Sequence, residues 1–444
     1  MKSLITLFLV FIVAFNAYGV ELNKGKLSNG LPYITVKTSN MPIISLVIKV
    51  KAGSFFDETN RFGQAKLVAA SLESCDTRHL SSEKLRELFD KYGIDSYVSV
   101  SKGYITISAT TLRDNMNKMF YLISEILKTR FDKKNFSIVK RETIDAYKSL
   151  QNNKDYLAIH SAFVNLIAQP EYSHSSIGTL NGLKGTTNRD AKRFFEKYFR
   201  ANNMVLVLSG DVFGDLKLKK ELSRWFSFIK PMDNKARFDE PVFRYGLHVS
   251  DIIKPQTRQS YIYFTFPSFD YPSKNFYAAE ILAYILGGKL NAFITKDIRT
   301  KHGYAYSVFA FNYKLPKKSV FVIGLQTQNE FTLNAINRVL EDIKSYDKYI
   351  SEDRLKMAKE YLIGSRLIGL QTPQSVASQI AQGYMLGVEE PIWVFDKKNI
   401  EKVSLQDLKF VARRLFSDTV SIGIVSSKNI RKDVLKLAKK YGYR

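Results

Sequence analysis

One order of helix and strand occurs twice in the chain, and this repeat constrains the fold more than any other feature. Residues 188–199 have the spacing of an amphipathic helix, and residues 202–211 then read as an apolar strand. Residues 404–416 and 417–426 repeat the same order of helix, short polar turn and strand. The two copies lie about half of the chain apart, which indicates an ancient duplication and predicts two homologous domains.

Each half of the chain also mixes strands with helices outside the repeat. Ser81–Glu83 begin an amphipathic helix that ends at Gly93, and residues 97–100 and 104–108 alternate like paired strands. In the second half, residues 319–324 read as a strand that precedes another amphipathic helix. The sequence therefore predicts an α+β fold of two homologous domains, each a mostly antiparallel sheet packed with helices.

A polar linker and an N-terminal signal-peptide pattern set the predicted domain boundaries. Residues 233–245 are polar and contain Pro241, which is typical of a linker, so we expect domains over residues 20–232 and 246–444. Residues 1–19 have the pattern of a secretory signal peptide, with Lys2 before an apolar run and a small-x-small cleavage signal. The run is too short to favour a membrane span, although an N-terminal anchor helix is the alternative. We expect no transmembrane segment in the mature chain.

Charge and cysteine content limit the possible partners and chemistry. The net charge of +25 can indicate nucleic-acid binding, but the lysines are scattered along the sequence and secretion removes most nucleic-acid partners. We therefore expect a solvated basic surface and no nucleic-acid partner. Cys75 is the only cysteine, so no internal disulfide can form, and the absence of a nucleophile motif favours a buried, inert thiol.

Short motifs run along nearly the whole chain in a fixed order. They are Leu27–Tyr33, Lys51–Glu58, Gly63–Ala65, Asn203–Asp211, Leu286–Gly288 and Ile298–Val308. In order and spacing they resemble the M16 metallopeptidases, the family of pitrilysin, insulinase and the mitochondrial processing peptidases, in its shorter two-domain form. The resemblance implies the fold that these enzymes share with LuxS.

The same resemblance places the family's inverted zinc motif, H-x-x-E-H, on a helix at residues 63–70. In active members the two histidines bind zinc and the glutamate is the general base. Here Lys66 is at the first ligand position, Ala69 at the base and Ala70 at the second ligand. An ammonium and two methyl groups offer no lone pairs, so this degenerate motif predicts that the chain binds no metal.

No other residues replace the missing ligands by sequence logic. The family's third ligand is a glutamate that the resemblance places near Glu142–Ala146, where Glu142 and Asp145 read as surface charges. None of the five histidines has another histidine three or four residues away, and no serine or cysteine catalytic motif is present. The histidines are His79, His160, His174, His248 and His302.

Arg299 and Tyr306 resemble the arginine–tyrosine pair that M16 enzymes carry in their C-terminal half. In the family this pair reaches into the active site, where arginine can grip a substrate carbonyl and tyrosine can donate to an oxyanion. A surface arginine beside a packed tyrosine is the alternative. Gly287 and Gly288 stand where relatives have a glycine-rich loop, which implies substrate binding, with a helix C-cap as the alternative.

Some two-domain M16 enzymes are heterodimers in which one subunit supplies zinc and the other the arginine–tyrosine pair. The resemblance implies that this chain is inactive alone, holds no cofactor, and completes the site of a zinc-bearing M16 partner that acts on extended peptides. With the signal peptide, it implies the bacterial periplasm. The alternatives are a structural or peptide-binding scaffold without proteolytic role, and an autonomous metalloendopeptidase with an atypical zinc site.

Overall fold

Two β-sheets with helices on both faces make up the part of the protein that a computed structural model describes, residues 22–38, 41–212 and 215–444. The predicted signal peptide lies outside the described residues. No helix among the residues described has the length and apolar character needed to cross a membrane.

The first sheet has six strands in the order β1-β2-β6-β3-β5-β4, and the second has five in the order β7-β11-β8-β10-β9. In each sheet one pair of neighbours is parallel, β2 with β6 and β7 with β11, and the other pairs are antiparallel. The strands are β1 Leu22–Lys26, β2 Pro32–Lys37, β3 Ile43–Val50, β4 Asp95–Val100, β5 Ile105–Leu112, β6 Met204–Gly210, β7 Leu247–Ile253, β8 Gln259–Ser268, β9 Ala305–Lys314, β10 Ser319–Gln328 and β11 Val420–Ser426. This arrangement confirms the predicted α+β fold.

The helices pack against both sheets. In chain order they are α1 Gln64–Ser74, α2 Ser82–Lys91, α3 Met116–Ile126, α4 Lys133–Leu150, α5 Lys154–Leu166, α6 Pro170–Ser173, α7 Leu180–Gly185, α8 Asn188–Tyr198, α9 Asp215–Phe226, α10 Lys274–Gly287, α11 Phe293–Thr295, α12 Thr332–Lys344, α13 Glu352–Ile368, α14 Pro373–Met385, α15 Ile392–Glu401, α16 Leu405–Leu415 and α17 Arg431–Lys440. A π-helical turn, Lys296–Lys301, follows α11 directly.

The repeated helix and strand of the sequence have the same local structure in both halves. Helix α8 begins with a capping box between Thr187 and Asp190, and α16 begins with one between Ser404 and Asp407. The strands that follow, β6 and β11, are buried along their whole length, and each makes the parallel pairing of its sheet. A strand buried on both faces has a continuous apolar run, which is the pattern that the sequence shows.

Each sheet is covered on one face by a helix from the other half of the chain. Helix α5 of the first half packs on β8 and β11 of the second sheet, and α14 of the second half packs on β3 and β6 of the first. The apolar contacts of α5 join Ala158, Ala162 and Leu166 to Val322 and Val425. Those of α14 join Val376, Ala377 and Ile380 to Val47 and Val207. The two halves therefore share their hydrophobic cores by exchanging helices.

The close packing of α5 on the second sheet depends on a glycine in the middle of β11. A Cβ atom on Gly423 would lie 2.0 Å from the carbonyl oxygen of Ala158 and 2.8 Å from the nitrogen of Ala162. Both atoms belong to the backbone of α5, so a larger residue would push the helix off the sheet.

We expect Gly423→Ala to lower the free energy of unfolding by about 3 kcal/mol, because overpacking a rigid backbone contact cannot be relieved by a rotamer change. Denaturant unfolding followed by far-UV circular dichroism measures the difference. Gly364→Ala is the control, because a Cβ atom there meets nothing within 4 Å and alanine favours the helix by about 1 kcal/mol. Equal stability of the Gly423→Ala variant and the wild type would contradict the close backbone contact between β11 and α5.

Candidate functional site

Helix α1, which carries the degenerate motif, is held at its start by a carboxylate from the preceding loop. Asp57 accepts hydrogen bonds from the backbone N–H groups of Gly63, at 2.7 Å, and Ala65, at 2.8 Å. Gly63 has a φ of 118°, a left-handed conformation that favours glycine. His174 Nε2 lies 3.3 Å from the same carboxylate. The two sequence motifs at residues 51–58 and 63–65 therefore meet in one capping arrangement.

The three motif positions on α1 make contacts that have no place for a metal. Ala69 is 1% exposed and belongs to the core of the first domain, whereas Lys66 and Ala70 are partly exposed. Two turns after Lys66, the carboxylate of Glu73 accepts a hydrogen bond of 2.7 Å from the Val98 backbone. Desolvation raises the pKa of Glu73, while the Val98 N–H and the Lys66 ammonium act in the opposite direction. The cation at position 66 thus interacts with a carboxylate of its own helix.

Glu73 also occupies part of a sheet edge. Strand β4 is one of the two outer strands of the first sheet, and its edge would otherwise present unpaired N–H groups. The bond from Val98 to Glu73 satisfies one of these groups. The edge is therefore closed at that point to a further strand. Sequence reasoning missed this contact, because it depends on how α1 packs against β4.

The predicted third-ligand region and the histidines do not assemble a zinc site. Glu142 and Asp145 are exposed on α4, where Asp145 pairs with Lys148 at 3.0 Å. Within the described ranges, no three His, Cys, Asp or Glu side chains are grouped so that they could hold a metal ion. The donors present at the motif, an ammonium and two methyl groups, do not fit zinc.

The histidines are engaged in separate contacts. His79 lies 3.0 Å from Glu125, His160 stacks on Tyr156, and His248 lies 3.1 Å from the Tyr245 carbonyl. His174 contacts Asp57, and His302 Nδ1 lies 3.0 Å from the Asp297 carbonyl oxygen. Cys75 is buried, as predicted, and burial raises the pKa of its thiol to about 12, so the thiolate nucleophile is scarce at neutral pH.

Arg299 and Tyr306 come together on the surface of the second half. The guanidinium carbon of Arg299 lies 5.7 Å from the centroid of the Tyr306 ring, a cation–π distance. Arg299 is on the π-helical turn, and Tyr306 is the extra residue of a bulge in β9, one of the two outer strands of its sheet. Tyr306 is 77% exposed. Both polar groups can therefore reach a molecule outside this chain.

A buried ion pair supports the turn that presents Arg299. Asp297, with 6% of its side chain exposed, accepts hydrogen bonds from Arg338 Nε at 2.9 Å and Nη2 at 2.5 Å, and from Lys301 at 3.2 Å. Burial acts to raise the pKa of Asp297, but these bonds outweigh it and hold the pKa below its usual value. Sequence reasoning missed this pair. The one feature of the sequence that pointed to Asp297 was its position directly before the Ile298–Val308 motif.

Gly287 and Gly288 have contacts that explain their small size. A Cβ atom on Gly287 would lie 2.4 Å from the backbone nitrogen of Ala310 in β9, so the end of α10 packs tightly on that strand. One on Gly288 would lie 2.8 Å from the backbone of Tyr284. These contacts agree with the helix-end alternative, and binding of substrate by the two glycines stays a prediction.

Comparison with known proteins gives one consistent relationship. Two family models match the chain, Insulinase (Peptidase family M16) over residues 33–169 and Peptidase M16 inactive domain over residues 186–362. The chain is similar to a Helicobacter pylori protein named non-peptidase homolog YmxG, with 25% identity over 436 residues, 96% of this chain and 99% of that protein. It is also similar to zinc protease PqqE of the same organism, with 21% identity over 408 residues, 89% of this chain and 90% of that protein.

A solved structure shares the fold. The crystal structure of a peptidase M16 inactive domain from Pseudomonas fluorescens superposes with a TM-score of 0.82 over 92% of this chain and 98% of that one, at 19% identity. The overall fold of this chain is therefore found in another protein.

We expect Arg338→Met to lower the free energy of unfolding by about 3 kcal/mol, because it leaves the buried Asp297 carboxylate without its main partner. The double variant Asp297→Asn, Arg338→Met should recover most of the loss, and a double-mutant cycle by denaturant unfolding measures the coupling. Arg413→Met, at a surface arginine beside Tyr346, is the control. Additive effects of the two changes would contradict a specific pair.

Proposed function

Because the chain belongs to the M16 peptidase family, we propose that it is a subunit that binds no zinc and completes the active site of a zinc-bearing M16 partner. One observation carries the proposal. Arg299 and Tyr306 lie together and exposed at a sheet edge, whereas Lys66, Ala69 and Ala70 leave the chain without the ligands for zinc. A chain that presents the arginine–tyrosine pair but lacks the zinc ligands needs a second protein to act as a peptidase.

The chemistry of the pair suits a peptide under attack at its carbonyl carbon. The planar fork of an arginine can hold a peptide carbonyl, and a tyrosine hydroxyl can donate to the oxyanion that develops on it. The outer strand β9 offers an edge on which an extended peptide can add as a further strand. In this proposal Arg299 and Tyr306 are supplied to a site whose zinc and general base belong to the partner.

The relatives support a division of labour. Helicobacter pylori has one M16 protein named a non-peptidase homolog and another named a zinc protease, and this chain is similar to both over most of its length. The predicted signal peptide supports a periplasmic location for the proposed heterodimer. A scaffold that binds peptides without a proteolytic role is the second candidate, because an exposed sheet edge can bind without catalysis.

We expect the purified chain to contain much less than one zinc ion per molecule and to cleave no peptide. Inductively coupled plasma mass spectrometry and a fluorogenic peptide library measure the two properties. A Lys66→His, Ala70→His variant serves as a comparison, because it restores the two histidines without the base. One zinc ion per wild-type chain would overturn the proposal in favour of an autonomous metalloendopeptidase.

With the zinc-bearing partner present, Arg299→Ala and Tyr306→Phe should each reduce kcat/KM at least tenfold, in line with the loss of an oxyanion donor. Arg413→Ala and Tyr346→Phe are matched controls, because this surface arginine lies 6.0 Å from the Tyr346 ring in a similar pair. Unchanged turnover in both site variants would remove the catalytic role. Peptide binding without any turnover would then assign the scaffold function.

A further inference from the structure

A pocket of about 680 Å³ lies between the two halves, and its lining includes neither the degenerate motif nor the Arg299–Tyr306 pair. The turn between β4 and β5, residues 101–104, forms one side, and the turn between β9 and β10, residues 315–318, forms another. Phe238, from the segment that connects the halves, lies beside both turns and packs its ring 5.6 Å from that of Tyr104. The pocket is thus built from both halves.

The charged side chains that line this pocket are all basic. They are Lys51, Lys102, Arg237, Lys314 and Lys317, and the lining includes no aspartate or glutamate. None of the five forms a salt bridge within the described part of the chain. A group of like charges with no carboxylate among them is costly in a partly buried site.

Aromatic rings lie beside three of these lysines, and the carboxylates that act on two of them lie outside the lining. The Lys51 ammonium lies 5.2 Å from the centroid of Phe238, and that of Lys102 lies 5.7 Å from the centroid of Phe55. Lys314 lies over the ring of Tyr271. A cation–π contact holds an ammonium in place without using its three N–H donors. Lys102 donates one hydrogen bond, to the carbonyl of His174, and has further donors available.

Burial disfavours the charged form of three of these lysines. Burial lowers the pKa of Lys102 to about 7, although Asp57 acts to raise it. Burial also lowers the pKa of Lys314 to about 7, against the opposite effect of Asp396 and Glu280 and with a further lowering by Arg366. For Lys51, burial and then the charges of Lys235 and Lys317 lower the pKa. A bound anion would reverse these shifts.

We propose that this pocket binds a small polyvalent anion that carries phosphate or carboxylate groups. Several ammonium groups around one cavity match several negative charges on one compact molecule, and the aromatic walls can pack against an organic body. Lys51 and Lys102 belong to the first half and Lys314 and Lys317 to the second, so the anion bridges the halves. The inference does not depend on the proposed peptidase role.

Inorganic pyrophosphate and citrate are the probes, one for phosphate and one for carboxylate chemistry, each compared with sodium chloride at equal ionic strength in metal-free buffer. At a concentration of a hundred times Kd, the favoured anion should raise Tm by about 3 °C. A response to pyrophosphate alone identifies a phosphate site, and a response to citrate alone identifies a carboxylate site. A rise no larger than that with sodium chloride overturns the proposal.

Lys102→Met and Lys314→Met should each weaken binding at least tenfold while leaving Tm without anion unchanged or higher, because each removes a costly buried charge. Lys440→Met is the matched control, since this lysine lies 5.5 Å from the ring of Tyr441 at the other end of the chain. Equal weakening by the control, or full binding by both pocket variants, overturns the assignment of these lysines.

Calorimetry at pH 8 measures the number of protons taken up on binding, which non-specific charge screening would not change. The anion should raise the pKa of Lys102 and Lys314 from about 7, so binding takes up about one to two protons at pH 8. Titrations in buffers of different ionisation enthalpy measure this number. Binding without proton uptake would show that the anion does not contact the buried lysines.

Discussion

The exchange of helices between the two halves is the interaction on which the rest of the structure depends. A sheet whose central strands are apolar on both faces must be covered on both, and α5 and α14 each cover the sheet of the other half. This exchange fixes how the halves are oriented. It therefore fixes where the hairpin turns meet and where the basic pocket forms.

The architecture of each half was predictable, but the way the halves join was not. The capping boxes of α8 and α16 and the buried strands after them are local patterns, and the sequence displays them directly. An apolar helix face such as that of α5 does not reveal which sheet it covers, because any apolar surface satisfies it. The basic pocket could not be predicted for the same reason. Lys51, Lys102 and Lys314 are distant in sequence, and only the meeting of two hairpin turns brings them around one cavity.

At the candidate site, the loss of the zinc ligands could be predicted from the sequence, but the contacts around the site could not. Lys66, Ala69 and Ala70 could be interpreted directly, since metal binding requires lone pairs that these side chains lack. The Glu73–Val98 bond beside the motif and the Asp297–Arg338 pair that supports the Arg299 turn could not be predicted, because each joins residues from separate elements. Helix α1 packs as an ordinary core helix, with Ala69 in the hydrophobic core of the first half. Three substitutions that restored the motif would place a carboxylate at a position only 1% exposed.

The covering of the first sheet has a consequence for the order in which the protein acquires its structure during synthesis. The last strand of that sheet ends at Gly210, whereas the helix that covers its second face begins at Pro373. The ribosome must therefore add most of the second half before this apolar face can be shielded. During that interval a nascent chain exposes the surface that holdase chaperones recognise, and its first half gains its full stability only late in synthesis.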